Sequence, residues 1–314
     1  MLRTAVIGAG YLGRFHAEKY ARLASSHLVG VADINEICGQ RVASDCNTHY
    51  FRDYRDLIGQ VDAVSVVVPT VMHHTIARDF LKAGVHVLVE KPIASNLSQA
   101  EEMIRLAREK QLILQVGFLE RYNAALGSVS DKVKQPRFIE SHRLASFKPR
   151  SMDINVIMDL MIHDLDIILN IVDSPLIGIA ANGSAVLSDT IDIAQARLSF
   201  ACGCVANVTA SRISQKSKRK MRIFQKSSCI CVDFQELKVS HFFKGEGEQH
   251  PGIPVIECNE QSYQGNDALK LEIEDFLQSV EASNPPRVSG EDGRNALNAA
   301  NQISEIIAET GVSL

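Results

Sequence analysis

Apolar residues in the first 120 positions arrive in short runs separated by longer stretches of helical spacing. "RTAVIGAG", "LVGVADI", "AVSVVVPT", "HVLVEKP" and "LILQVGF" are rich in β-branched residues and predict strands buried on both faces. Between them "GRFHAEKYARLA", "NEICGQRVASDC", "HHTIARDFLKAG" and "SQAEEMIRLAREKQ" read as helices. Such alternation predicts βαβ units around a parallel sheet. After about residue 124 the rhythm changes. "RFIESHRLASF" follows a predicted helix, and the segment holding Asp159 and His163 is itself helical. From 177 to about 258 the chain is mostly strand-like, including "IDIAQARLSFA", "GCVANVTASRI", "KMRIFQ" and "CICVDF". Helices near 266–282 and 290–310 close it. The expected fold class is α/β: a doubly wound parallel-sheet domain over 1–122, then an α+β domain over 123–314 with a large, mainly antiparallel open sheet.

Length supports that division, because 314 residues exceed the roughly 250–300 at which single cores stop growing. A net charge of −4 offers no global attraction for nucleic acid. No run approaches the roughly 18 apolar residues of a membrane span, and the N-terminal apolar run is too short for a signal peptide. Seven cysteines include the pairs Cys202/Cys204 and Cys229/Cys231 in strand-like runs. Without a C-x-x-C framework they read as buried thiols in a reducing cytoplasm rather than metal ligands.

Candidate chemistry begins at Gly8-Ala9-Gly10-Tyr11-Leu12-Gly13, a G-x-G-x-x-G between a strand and a helix. The first glycine permits a tight turn, the second lets backbone approach a pyrophosphate, and the third lets helix and strand pack closely. Asp33 ends the second strand, where a carboxylate accepts hydrogen bonds from ribose hydroxyls and repels a 2′-phosphate. NAD is therefore favoured over NADP in a Rossmann domain. Pro69-Thr70 and Glu90-Lys91-Pro92 each follow an apolar strand, at the sheet end where ligands bind. His73 starts the next helix, either beside the cofactor or in a capping turn without a ligand. In "MDLMIHDLD", Asp159 and His163 are spaced i, i+4 and share one helix face. His163, Asp164 and Asp166 do not all share a face, so no metal is expected. A catalytic acid–base pair and a buried hydrogen-bonded pair remain open from spacing alone.

The ordered set G-x-G-x-x-G, P-T-x-x-H, E-K-P and D-x-x-x-H resembles the glucose–fructose oxidoreductase/inositol dehydrogenase/MocA family over essentially the whole chain. The resemblance implies a Rossmann domain joined to an open-sheet domain, and hydride exchange between NAD(P) and a sugar or cyclitol. It implies that Gly8, Gly10, Tyr11, Leu12, Gly13, Asp33, Pro69, Thr70, His73, Glu90 and Lys91 border the cofactor. It also implies that Lys91, Asp159 and His163 are catalytic. His163 would take the hydroxyl proton, since imidazole titrates near operating pH. Lys91 would stabilise negative charge on oxygen, and Asp159 would orient substrate or imidazole. Where many relatives carry a glycine run before the aspartate, this chain has Asn155-Val156-Ile157.

"GFLERYNAAL" and "DLMIHDLDIILNIV" look most like the branch acting on UDP-linked N-acetylated amino sugars. That likeness implies oxidation of the 3-hydroxyl to a 3-keto sugar for a partner aminotransferase, in lipid A or surface polysaccharide synthesis. Arg121, Asn123, Arg143 and Arg212 are the candidate substrate-binding residues. The basic cluster "SQKSKRK" at 214–220 is either a diphosphate contact or a solvated hairpin edge. Alternatives are a free-sugar or inositol dehydrogenase, and a non-catalytic dinucleotide-sensing regulator. The uncovered face of the second sheet predicts a homodimer or homotetramer.

Overall fold

The computed structural model describes residues 1–147, 154–265 and 267–309. Positions 266 and 310, at the ends of the two expected closing helices, lie outside them. The chain forms two compact units, 1–122 with 267–297, and 123–266 with 298–314.

In the first unit β1 (Leu2–Ile7), α1 (Tyr11–Arg22), β2 (Ser26–Ala32), α2 (Glu36–Asp45), β3 (His49–Phe51), β4 (Ala63–Val66), α3 (Thr70–Lys82), β5 (His86–Glu90), α4 (Leu97–Glu109) and β6 (Leu114–Gly117) alternate as the apolar runs predict. The six strands pair in parallel in the order β3-β2-β1-β4-β5-β6. Chain direction reverses away from β1 on one side and β4 on the other, which opens a crevice at their carboxyl ends. β3 has three residues, too few for an alternation signal, and is absent from the sequence expectation.

The second unit begins with a short α5 (Ala124–Gly127) and β7 (Phe138–Leu144), then a π-helical turn at Ile157–Met161 that runs into α6 (Ile162–Ile171). Seven strands follow: β8 (Leu176–Ser184), β9 (Ile193–Phe200), β10 (Val205–Ser211), β11 (Lys218–Gln225), β12 (Ser228–Asp233), β13 (Lys238–His250) and β14 (Ile253–Ser262). The sheet order is β14-β13-β12-β11-β7-β10-β9-β8. Only the β7–β10 pair is parallel. The π turn and α6 lie against β7 and β10, over the buried Ile139, Ser141, Ala206 and Val208. β11 lies between β7 and β12. The lysines at its start therefore do not protect a sheet edge, and the hairpin-edge reading is corrected.

α7 (Ala268–Ala282) and α8 (Gly290–Glu309) close the chain. From sequence, α7 belongs with the second domain; in the structure it packs on the first unit. Ile273, Phe276, Leu277 and Val280 join Ala17 and Tyr20 of α1 in one core. Lys19 meets Asp267 at 2.6 Å, and Gln115 Nε2 donates to the Glu272 carbonyl at 3.0 Å. Val116 N–H donates to the Val288 carbonyl at 3.1 Å. The apolar stripe of α7 is legible in the sequence, but a stripe does not say which surface it covers.

Candidate active site

The glycine loop is built by close approach. Gly8 has φ +102°, a left-handed conformation, and a Cβ there would lie 2.1 Å from the Val67 carbonyl oxygen. A Cβ on Gly13 would lie 1.8 Å from the Gly8 carbonyl oxygen. On Gly10 it would meet no protein atom within 4 Å. Gly10 also precedes the first turn of α1 and gives its amides no side-chain cap. Those amides and the helix dipole suit an anion in the open space.

That space is part of a cavity of about 780 Å³ lined by Gly8, Gly10, Asp33, Val68, Pro69 and Met72, among others, within the range typical of ligand sites. The Asp33 carboxylate accepts from Ala9 N–H at 2.6 Å and from Asn35 N–H at 2.7 Å. Each oxygen keeps acceptor capacity for a ribose hydroxyl. Asn35 caps α2 by accepting from Cys38 N–H, and this holds the Asp33 turn. The residues present thus fit a dinucleotide: an uncapped helix start, a glycine with room beside it, and a carboxylate at the end of β2. Arg52 and Arg55 line the same cavity and escaped the sequence analysis, because they follow the short β3. Arg55 is drawn to Asp53 at 3.0 Å.

Not every residue assigned to the cofactor faces this cavity. His73 is buried, with Nδ1 and Nε2 each 2.9 Å from a carbonyl oxygen, those of Pro92 and Val68. It clamps the loop after β4 to the turn after β5. Burial lowers its pKa against the pull of those carbonyls and of Glu90. Glu90, at the end of β5, accepts from His16 across 3.1 Å and from the Lys91 amide at 3.3 Å. The Lys91–Pro92 peptide is cis.

In the second unit Asp159 lies on the π turn and His163 on the first turn of α6, both half-buried. The four-residue spacing therefore crosses a π turn, which is wider than the uninterrupted α-helix expected; such turns recur at functional sites. Two anchors fix the segment. Asn155 Oδ1 accepts from Met158 N–H at 2.9 Å, giving the departure from the glycine run a capping role. Asp164 receives a bidentate pair from Arg143, Nε to Oδ2 at 2.8 Å and Nη2 to Oδ1 at 3.1 Å, with the side chains 2% and 3% exposed. This pair ties the turn bearing His163 to β7.

The other residues read as substrate ligands also make structural contacts. Arg212 Nε donates to Asp192 at 2.7 Å and Nη1 to the Ile154 carbonyl at 2.6 Å. Burial alone would raise Asp192, but the Leu187 amide, Arg212 and the Val186 amide hold it well below the usual carboxylate range. Arg121 Nη2 donates to the Arg287 carbonyl at 3.0 Å. Asn123 Nδ2 donates to the Phe234 carbonyl at 3.1 Å, and its Oδ1 caps α5. Arg143 and Arg212 are thus each held in a buried ion pair, and breaking such a pair costs about 3–5 kcal/mol.

Residues 2–118 match the model of an oxidoreductase family with an NAD-binding Rossmann fold, and residues 132–227 match the GFO/IDH/MocA C-terminal domain. A UDP-N-acetylglucosamine 3-dehydrogenase from Acidithiobacillus ferrooxidans is 41% identical over 303 residues, 96% of each chain. The chain belongs to the GFO/IDH/MocA oxidoreductase family. Its fold superposes on a solved structure of that Acidithiobacillus enzyme with a TM-score of 0.93 at 40% identity, over 98% of both chains. A myo-inositol 2-dehydrogenase from Thermotoga maritima is 26% identical over 94% of this chain and 93% of its own. Among the described residues, no helix of this family member is long and apolar enough to cross a membrane.

Proposed function

We propose that the protein is an NAD-dependent dehydrogenase that oxidises the 3-hydroxyl of UDP-N-acetylglucosamine, or a close UDP-linked N-acetylated amino sugar, to a 3-keto sugar. The observation that carries this reading is the 41% identity to a 3-dehydrogenase of that nucleotide sugar, spread over 96% of each chain. Likeness confined to the dinucleotide domain would speak only for the cofactor.

NAD, when bound, would supply the hydride acceptor. The amides at the start of α1 and the space beside Gly10 would hold its pyrophosphate, and Asp33 would hold the adenosine ribose hydroxyls. Lys91 places an ammonium by the substrate oxygen, where negative charge grows as the proton leaves. His163 removes that proton as general base, and Asp159 orients the sugar or the imidazole. The alcohol thus loses one proton to the protein and one hydride to the cofactor, and no metal is needed to balance the step. A 3-ketone is a substrate for an aminotransferase, which would be the next enzyme in lipid A or polysaccharide synthesis.

All seven cysteines are free thiols, which supports a cytoplasmic setting. On the sheet face opposite α6, Phe138, Leu144, Val205 and Phe224 are half-buried, which supports self-association. Sedimentation at micromolar concentration is expected to give a dimer or tetramer, and a monomer would end that part of the proposal.

Initial rates with NAD test the function itself, using UDP-N-acetylglucosamine, UDP-glucose and myo-inositol with the ketone trapped. Reduced cofactor is expected with the N-acetylated nucleotide sugar first. Turnover of myo-inositol alone would replace this reading by a free-polyol enzyme. No turnover of any polyol, with NAD still bound, would leave a dinucleotide sensor.

A further inference from the structure

A buried polar cluster lies one residue from Lys91. His16 of α1 and Glu272 of α7 are each 0% exposed, and Glu90 stands at the end of β5. One ring nitrogen of His16 and one carboxyl oxygen from each glutamate lie within 4.8 Å of one another. Glu90 is engaged on both oxygens, by His16 at 3.1 Å and by the Lys91 amide at 3.3 Å. Glu272 is different: among the described residues neither of its carboxyl oxygens has a hydrogen-bond partner, and His16 Nδ1 also lacks one. An unpaired buried polar group costs about 1–3 kcal/mol, and three such atoms on two residues of one cluster call for a shared purpose. The wall on the other side is tight. Gly117 pairs with Glu90 across β5 and β6, and a Cβ there would lie 3.0 Å from Glu90 Cδ and Oε2.

We propose that His16, Glu90 and Glu272 form a buried positioning triad for the turn that carries Lys91: Glu272 and His16 fix the Glu90 carboxylate, and Glu90 fixes the backbone from which the Lys91 side chain projects. None of the three touches the reacting carbon; they act through Lys91. α7 thereby acquires a task in the dinucleotide unit, to which the Lys19–Asp267 pair and the Gln115 bond to the Glu272 carbonyl hold it.

The electrostatics agree. Burial alone would raise Glu90, but His16 first and then Lys91 and His73 outweigh it and leave it lowered. Burial, then the Glu90 charge, then Asp275 push Glu272 well above the usual carboxylate range. From the surrounding elements the cluster also faces Tyr20, raised chiefly by burial and in part by Glu272, and Tyr122, which donates to Asp275 at 2.7 Å. These influences favour the protonated form of Glu272, which can give a proton and accept one through a bridging water. A divalent cation on the same three groups is the competing occupant. Both Glu90 oxygens are already engaged, by His16 and by the Lys91 amide, so the triad is the favoured reading.

Infrared spectroscopy, kinetics and elemental analysis on the full-length protein test this. A protonated-carboxyl stretch is expected at neutral pH and is lost in Glu272→Gln. Glu272→Leu and Gly117→Ala are each expected to lower kcat by about 10–10²-fold with KM for NAD little changed. Glu272→Gln restores kcat to near wild type and moves the alkaline limb of its pH profile upward, because ionisation of Glu272 no longer contributes. The kinetic arm rests on the proposed function. The infrared arm needs no substrate, and neither does the rate at which Lys91 reacts with an amine reagent, expected to change in Glu272→Leu and Gly117→Ala but not in Glu272→Gln. An unchanged Lys91 reactivity in both of the first two variants overturns the triad, whatever the substrate is. So does a carboxyl band that survives Glu272→Gln, or a stoichiometric divalent metal that this variant loses.

Discussion

His163→Asn is expected to lower kcat by about 10²–10⁴-fold, the usual contribution of a positioned general base, with NAD affinity unchanged. Asparagine keeps a polar group of similar reach but cannot take the hydroxyl proton. The loss should be read as chemistry rather than unfolding, because the turn bearing His163 is held by other groups. Asp164 and Arg143 form the bidentate pair between α6 and β7, and Asn155 caps the preceding turn. Thermal denaturation of His163→Asn should match wild type. Asp164→Ala should do the reverse and lose about 3–5 kcal/mol of stability by leaving Arg143 buried without its carboxylate. If His163→Asn turns over within a few-fold of wild type, the proton leaves by another route.

The second large effect separates two glycines of one motif. Gly13→Ala places a methyl 1.8 Å from the Gly8 carbonyl oxygen and 2.8 Å from its carbon. No side chain can rotate away, so backbone must shift. Overpacking costs typically about 1–3 kcal/mol and more where backbone moves, so Tm should fall by about 5–10 °C, with NAD binding weakened at least tenfold. Gly10→Ala meets no protein atom within 4 Å. Its Tm should stay at the wild-type value while NAD binding fails, because the methyl stands where the pyrophosphate belongs. Calorimetry on both variants, with and without NAD, reads the pair. Wild-type NAD affinity in Gly10→Ala would displace the cofactor from this cavity.

The doubly wound half was legible because each of its longer strands is a short apolar run and each helix carries one apolar stripe; these are local signals. β3 was missed because three residues hold no period. The placement of α7 was missed because Ile273, Phe276 and Leu277 declare a buried face without naming Ala17 and Tyr20 as its cover. The buried ion pairs of Arg143 and Arg212 are not legible in a linear reading, since their carboxylates lie 21 and 20 residues away. The π turn under Asp159 has no sequence period of its own. His16 and Glu272 were invisible for a related reason: each reads as an ordinary position in an amphipathic helix, and only the tertiary fold brings them to Glu90. Motifs whose ligands sit in one loop were found, and roles that need a distant partner were not.

The most direct measurement uses UDP-N-acetylglucosamine carrying deuterium at C3, incubated with NAD and the purified protein. The account expects the label to appear in the reduced nicotinamide, turnover to slow when the hydride step limits the rate, and the sugar product to be the C3 ketone. Reduced cofactor without deuterium, or a product still labelled at C3, would contradict it.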